Sequence, residues 1–112
     1  MRLVLRCAGT TFHNRAALGV VKMMAEYPPT WRLVPEPTNP ADPNAVRIEA
    51  GLTHDDRTDW HHVGYIPRKQ AALVGAHLAA GRVKSVALAG HGTISADDSV
   101  PWLRIKLEVE PY

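Results

Sequence analysis

The sequence predicts a mainly β domain with two helices, in which about six short antiparallel strands form a small barrel. Three observations predict it: several segments alternate apolar and polar residues, two segments repeat apolar residues at helical spacing, and prolines and glycines fill the breaks. The 112 residues suffice for one domain, which we expect to span residues 1–112. With 46% hydrophobic residues, the chain can bury a core of its own.

The strand segments share a period of two, which is typical of a strand with one buried face. The pattern is clearest over residues 102–109, where Arg104 and Lys106 are predicted to point to solvent. The predicted inward residues of this segment are Leu103, Ile105, Leu107 and Val109. Similar or weaker alternation predicts further strands over residues 2–7, 31–34, 45–50, 62–66 and 82–89.

Two segments have the spacing of helices. Residues 15–25 follow Asn14, which is suited to cap a first turn, and their apolar positions are Leu18, Val21 and Met24. Residues 68–80 lie between Pro67, which suits a first helical turn, and Gly81, which suits a C-terminal cap. The predicted buried face of this second helix consists of Leu73, Val74, His77 and Leu78.

The breaks between these segments predict loops. Residues 35–44, with the sequence PEPTNPADPN, contain four prolines and cannot form regular structure. Residues 51–59 and 92–99 are also predicted to be loops that connect strands, because polar and glycine residues interrupt the apolar pattern there.

The charge balance limits the kinds of partner. There are 13 lysines and arginines against 11 aspartates and glutamates, so the formal net charge is only +2. This balance suits a small anionic footprint better than a surface that coats duplex DNA. Cys7 is the only cysteine, and no apolar run has the length of a membrane helix or signal peptide. We therefore expect a soluble, cytoplasmic protein that does not bind membranes.

The inventory of reactive residues favours no enzyme. Cys7 shares a strand face with apolar residues, so it is predicted to pack as a small hydrophobic side chain. The chain has no G-x-S-x-G motif, no Gly-rich phosphate loop, no H-E-x-x-H motif and no Cys-x-x-Cys pair. His61 and His62 are adjacent, and neighbouring residues of a strand point to opposite faces. We expect no catalytic residue, no metal site and no cofactor.

Two features nevertheless suggest a binding site. Arg68 and Lys69 occupy the first turn of a predicted helix, where acidic residues are normally favoured. Their charges and the free N–H groups of that turn would all attract a phosphate, although two solvated cations would also satisfy the pattern. Asp42 lies in the stiff proline-rich segment, where it is suited either to a local turn or to a pre-organised contact with a sugar hydroxyl.

Three motifs, in this order, resemble the HIRAN family. They are Gly-Thr-Thr-Phe at residues 9–12, LVPEPTNPADPNAV at residues 33–46, and VGYIPR at residues 63–68. HIRAN domains occur in helicase-like DNA-repair ATPases and as stand-alone bacterial and phage proteins. The resemblance implies an OB-like or SH3-like antiparallel β-barrel that binds the 3′-hydroxyl end of single-stranded DNA in repair or replication. It also implies that a helicase-like ATPase or another repair protein is a partner.

The resemblance also implies roles for individual residues. Asp42 would meet the terminal hydroxyl, Arg68 and Lys69 the phosphates, and Tyr65 or Phe12 a base or sugar. Further predicted contacts are Asn39, Asn44 and Thr11. An alternative stays open, in which the same barrel is a protein–protein interaction module. It arises because well-studied members of the family have an aromatic residue at the position of Ala41 and another on the first strand, where this chain has Arg6 and Cys7.

Overall fold

The computed structural model describes residues 1–8, 14–24, 26–93 and 101–110, with the backbone alone for residues 14–18, 93 and 101. These residues form six strands and two helices, which confirms the mainly β prediction. In chain order the elements are β1 (Arg2–Arg6), α1 (Asn14–Met23), β2 (Thr30–Pro35), β3 (Val46–His54), β4 (Arg57–Tyr65), α2 (Arg68–Ala79), β5 (Val83–Thr93) and β6 (Pro101–Val109). Neither described helix has the length or the hydrophobicity that a membrane crossing requires.

The strands form two three-stranded antiparallel sheets, with the orders β1-β6-β5 and β2-β3-β4. The sheets meet where Ala8, just beyond β1, forms an isolated bridge with Tyr65 at the end of β4. The N–H group of each residue donates to the carbonyl of the other, and both N···O distances are 2.8 Å. Among the described residues this is the one bridge outside the named strands, so a closed barrel stays a prediction.

A single hydrophobic core joins the two sheets and both helices. Leu103, Ile105 and Leu107 have no exposed surface, whereas Arg104 is exposed and Lys106 half-buried, as the alternation predicts. From the second sheet, Ile48 and Val63 are equally buried. The helices add Val20 and Val74 to the same cluster.

The three predicted loops are all wrong in part, and the first of them loses only Pro35, which is the last residue of β2 and pairs with Val46. Residues 51–54 and 57–59 belong to β3 and β4, which form a hairpin with a turn at Asp55 and Asp56. Both turn residues have left-handed φ values, of 52° and 61°. Polar side chains on an exposed strand end look like a loop in sequence, but backbone pairing makes them strand. Gly92 and Thr93 likewise belong to β5, and residues 94–100 lie outside the described part of the chain.

Both predicted helices are present in the structure, but some of their ends and buried residues differ from the prediction. The structure begins α1 at Asn14, so this residue is the first helical position rather than the cap, and Ala25 lies outside the described residues. Helix α2 ends at Ala79, one residue before the predicted end, with Ala80 as its C-cap. The next residue, Gly81, has φ 68° and donates its N–H to the Leu78 carbonyl at 3.0 Å. Its buried face consists of Ala71, Val74 and His77. Leu73 is 50% exposed, so its placement on the buried face was wrong.

Candidate functional site

The proline-rich loop is fixed by its own side chains. The Asn39 Oδ1 atom accepts from the backbone N–H groups of Ala41 at 2.9 Å and Asp42 at 3.2 Å. Asp42 Oδ1 then accepts from the N–H of Asn44 at 2.9 Å, and the Asp42 carbonyl accepts from the N–H of Ala45 at 3.0 Å. Such Asx contacts replace backbone pairing in a segment where proline prevents it. The loop therefore holds the Asp42 carboxylate in one orientation.

Glu36 connects this loop to the end of strand β4. Its Oε1 atom accepts hydrogen bonds from Asn39 Nδ2 at 2.9 Å and from the Tyr65 hydroxyl at 3.0 Å. Its Oε2 atom lies 3.5 Å from Arg47 Nε. Partial burial opposes the charged form, but the hydrogen bonds from Asn39 and Tyr65 and the charge of Arg47 outweigh it. The pKa of Glu36 is accordingly lower than usual, and the side chain is an anion.

Tyr65 is placed by close backbone packing between the sheets. A Cβ atom at the preceding Gly64 would overlap the Cys7 Sγ atom and lie 2.5 Å from the Ala8 carbonyl oxygen, so only glycine fits. The Tyr65 ring also meets the His62 ring edge-on, with 4.7 Å between centroids. Burial and the hydrogen bond to anionic Glu36 raise the pKa of Tyr65, so its hydroxyl keeps the proton that it donates.

These elements line an open pocket of about 300 Å³. Its polar and aromatic lining comes from Asn39 and Asp42 of the loop, Tyr65 of β4 and Arg68 of α2. Arg68 Nε lies 4.0 Å from Asp42 Oδ2, and the Arg68 side chain is 82% exposed while that of Asp42 is 21% exposed. An exposed ion pair at this distance contributes little stability, so the guanidinium is available to a ligand.

The structure brings together four of the eight predicted site residues: Asn39, Asp42, Tyr65 and Arg68 line the pocket. Lys69 is exposed beside Arg68 and is not among the lining residues. Asn44 contributes a backbone N–H that orients Asp42. Thr11 and Phe12 lie outside the described residues.

Sequence reasoning missed the role of Glu36. The residue belongs to the quoted proline-rich motif, and its spacing of three from Asn39 was visible. Its partners Tyr65 and Arg47, however, come from other strands, and only the folded chain places them beside it.

The reactive residues outside the pocket form no second constellation. Among the described residues no group of three His, Cys, Asp or Glu side chains could hold a metal ion. Cys7 is buried, and burial raises the pKa of its thiol to about 12, with a backbone hydrogen bond at Tyr65 acting weakly against it. A protonated, inaccessible thiol is a poor nucleophile.

The comparisons with known proteins bear on the whole chain. A family model described as the HIRAN domain matches residues 3–110. No curated protein and no solved structure matches the chain. HIRAN domains are in general nucleic-acid-binding modules. Since the matched residues include both sheets, both helices and the pocket, the chain belongs to the HIRAN domain family.

Proposed function

We propose that the pocket binds the 3′-hydroxyl end of single-stranded DNA and that the domain carries out no reaction of its own. The observation that carries the proposal is the state of the Asp42 carboxylate. Asp42 lines the pocket; its Oδ1 atom is fixed by the Asn44 N–H, and its Oδ2 atom lies 4.0 Å from Arg68 Nε. The acceptor for a ligand is thus pre-organised, which reduces the entropy lost on binding.

An ionised carboxylate can only accept hydrogen bonds, so Asp42 selects a group that donates one. A terminal sugar hydroxyl is such a donor, whereas a terminal phosphate brings negative charge toward the same oxygen. The side chain would therefore distinguish a free 3′-hydroxyl from a 3′-phosphate. A bond between a hydroxyl and a charged acceptor contributes about 1.5–3 kcal/mol.

Helix α2 supports the phosphates of such a strand. No side chain caps its N-terminus, and its first turn contains no acidic residue. The exposed Arg68 and Lys69 add two cations to the positive end of the helix dipole. These contacts would hold the strand without reading its sequence.

Tyr65 provides a ring for the terminal base or sugar, and it is the one aromatic residue among the described residues that line the pocket. Stacking on one ring contributes about 1–3 kcal/mol. Phe12 is a further candidate for this role. The domain would serve DNA repair or replication by recognising ends, alone or for a helicase-like ATPase.

The test is a titration of the protein with single-stranded oligonucleotides that differ only in a 3′-hydroxyl or a 3′-phosphate. We expect the wild type to bind the hydroxyl end at least tenfold more tightly. Asp42→Asn keeps an oxygen for the Asn44 N–H but removes the charge, so it should abolish most of this preference. Arg68→Gln should weaken binding to both ends and lower the slope of log affinity against log salt by about 0.7.

A matched control is Asp59→Asn, which removes the same charge from the far end of β4, where Asp59 pairs with Arg57. This variant should keep the wild-type preference. Equal binding of both ends by the wild type would reduce Asp42 to a turn residue and refute end recognition.

A protein–protein interaction module is the second candidate, and Ala41 is the observation that favours it. Ala41 lines the pocket where an aromatic residue would add a stacking surface. If the wild type binds neither oligonucleotide at low salt, the pocket does not bind single strands without an aromatic residue at position 41. The interaction module then becomes the better account.

A further inference from the structure

The exposed side of the β1-β6-β5 sheet carries an excess of positive charge. Cross-strand pairing places Arg2 opposite Glu108, Val4 opposite Lys106 and Arg6 opposite Arg104. We define the basic face by Arg2 and Arg6 of β1 and by Trp102, Arg104 and Lys106 of β6. Glu108, the one carboxylate that these pairings bring to the face, is paired with Arg2 at 2.8 Å.

Arg6 and Arg104 form a like-charge pair. Residues directly opposite each other in antiparallel strands have Cβ atoms about 4.5–5.5 Å apart, and equal charges there are destabilising. In the described part of the chain, no carboxylate lies within 4.0 Å of the Arg6 or Arg104 guanidinium. Both arginine side chains are exposed. Val4, which lies between Arg2 and Arg6 in β1, is 55% exposed. The fold itself gains nothing from this pair, but a bound anion would stabilise it.

Trp102 lies on the same face and is half-buried. A Cβ atom at Gly92 would lie 2.7 Å from Trp102 Nε1, and one at Gly90 would lie 3.5 Å from Cζ3. The indole therefore lies over two positions of β5 that have no side chains. The Arg104 guanidinium lies 5.5 Å from the ring centroid. Cations beside a flat aromatic ring on a sheet surface are typical of single-strand nucleic-acid sites.

The basic face is continuous with the pocket. Strand β1 ends at Arg6, and Ala8, two residues later, lines the pocket and pairs with Tyr65. The direction from Ala8 back along β1 leads from the pocket across the Arg6–Arg104 pair toward Lys106. A single DNA strand whose 3′ end occupies the pocket could therefore continue onto a surface whose charge is opposite to that of its phosphates.

We propose that the basic face binds the phosphate backbone of the single strand behind the terminal nucleotide. This inference rests on the proposed function, because it continues the path of a strand held at its end. It adds a second contact region, with Arg104 and Lys106 at phosphates and Trp102 under a base. Affinity should therefore rise with strand length, beyond the nucleotides that the pocket holds.

The experiment compares a trinucleotide with a twelve-nucleotide strand of the same 3′ sequence, both ending in a 3′-hydroxyl. We expect the wild type to bind the longer strand at least tenfold more tightly. Arg104→Gln/Lys106→Gln should bring the affinity for the longer strand close to that for the trinucleotide and leave the latter unchanged. Because this variant no longer neutralises two phosphates, the salt slope for the longer strand should fall by about 1.4.

The control variant is Lys22→Gln/Arg57→Gln, which removes two exposed cations outside the basic face and should keep the length effect. Thermal unfolding checks that each variant keeps the fold. A length effect that survives in Arg104→Gln/Lys106→Gln, or no length effect in the wild type, overturns the inference while end binding stands. A third outcome is that the wild type fails to bind the trinucleotide and still binds the longer strand, with an affinity that Arg104→Gln/Lys106→Gln lowers. That result supports the basic face and refutes the end pocket. No binding of either strand overturns both.

Discussion

At the scale of single residues, the site depends on a carboxylate that touches no ligand in our proposal. Glu36 ties Asn39 of the loop to Tyr65 of β4, and Arg47 compensates its charge. The sequence motifs could predict Asp42, Tyr65 and Arg68 because the resemblance names their positions. They could not predict Glu36, because its role requires Tyr65, 29 residues away, to return to the same place.

The pH dependence of stability tests the Glu36 network. A carboxyl group whose pKa is lowered by folding stabilises the fold above its unfolded-state pKa, and this contribution is lost as the pH falls through the folded-state value. For Glu36 the ordinary pKa is 4.5 and the folded value is lower. Glu36→Gln should therefore be less stable than the wild type at pH 7, and this difference should shrink below about pH 4.5. Urea unfolding at pH 7, 5 and 3 measures it, and a constant difference would contradict the role of the charge.

Gly64 is the residue at which backbone approach allows no side chain. Gly64→Ala places a methyl group against Cys7 and the Ala8 carbonyl, so the sheets must move apart. We expect the free energy of unfolding to fall by about 1–3 kcal/mol. Gly75→Ala in α2 is the matched control, because its Cβ would meet nothing nearer than Val46 at 3.9 Å. That variant should gain about 0.5–1 kcal/mol, and equal effects at the two positions in denaturant unfolding would refute the packing argument.

At the scale of elements, the spacing of apolar residues and the prolines and glycines between segments predicted the strands and helices. They did not predict every end of an element or every buried face. The β3-β4 hairpin extends through a polar stretch because backbone pairing and a Thr53–Thr58 side-chain hydrogen bond of 2.7 Å continue there. In α2, Ala71, Val74 and His77 are buried, while Leu73 is exposed. An Ala-rich helix has apolar residues on several faces, so its sequence alone leaves its rotation undetermined.

The hairpin turn predicts an opposite outcome for two substitutions at one position. Asp56 has φ 61°, a conformation that glycine adopts without strain and alanine does not. Asp56→Gly should stabilise the domain by about 0.5–1 kcal/mol, since Asp-Gly is a preferred pair for such turns. Asp56→Ala should destabilise it by a similar amount. Thermal unfolding of the three proteins decides, and a stabilising alanine would contradict the turn geometry.

At the scale of the whole molecule, two sheets share one core and one junction. The core cluster includes residues of both sheets and both helices, and the Ala8–Tyr65 bridge lies at the pocket. The pocket is assembled from the loop, from the end of β4 and from α2, so it exists only when these parts are docked. The net charge of +2 gave no hint of the basic face, because it is the pairing of β1 with β6 that brings four cations together with one carboxylate.

Cys7 lies at this junction and reports whether the two sheets separate before the domain unfolds. The residue is 3% exposed, and its thiol lies against Gly64 and has a pKa of about 12 through burial. In an unfolded chain the thiol pKa returns to about 8.5, and the thiolate reacts readily at pH 8. If the sheets open only on global unfolding, the free energy of opening from the rate of Cys7 labelling at pH 8 will equal that from urea unfolding. Gly64→Ala should speed labelling in proportion to its loss of stability. Wild-type labelling that gives a free energy well below the urea value would show instead that the junction opens locally, and the pocket would then open with it.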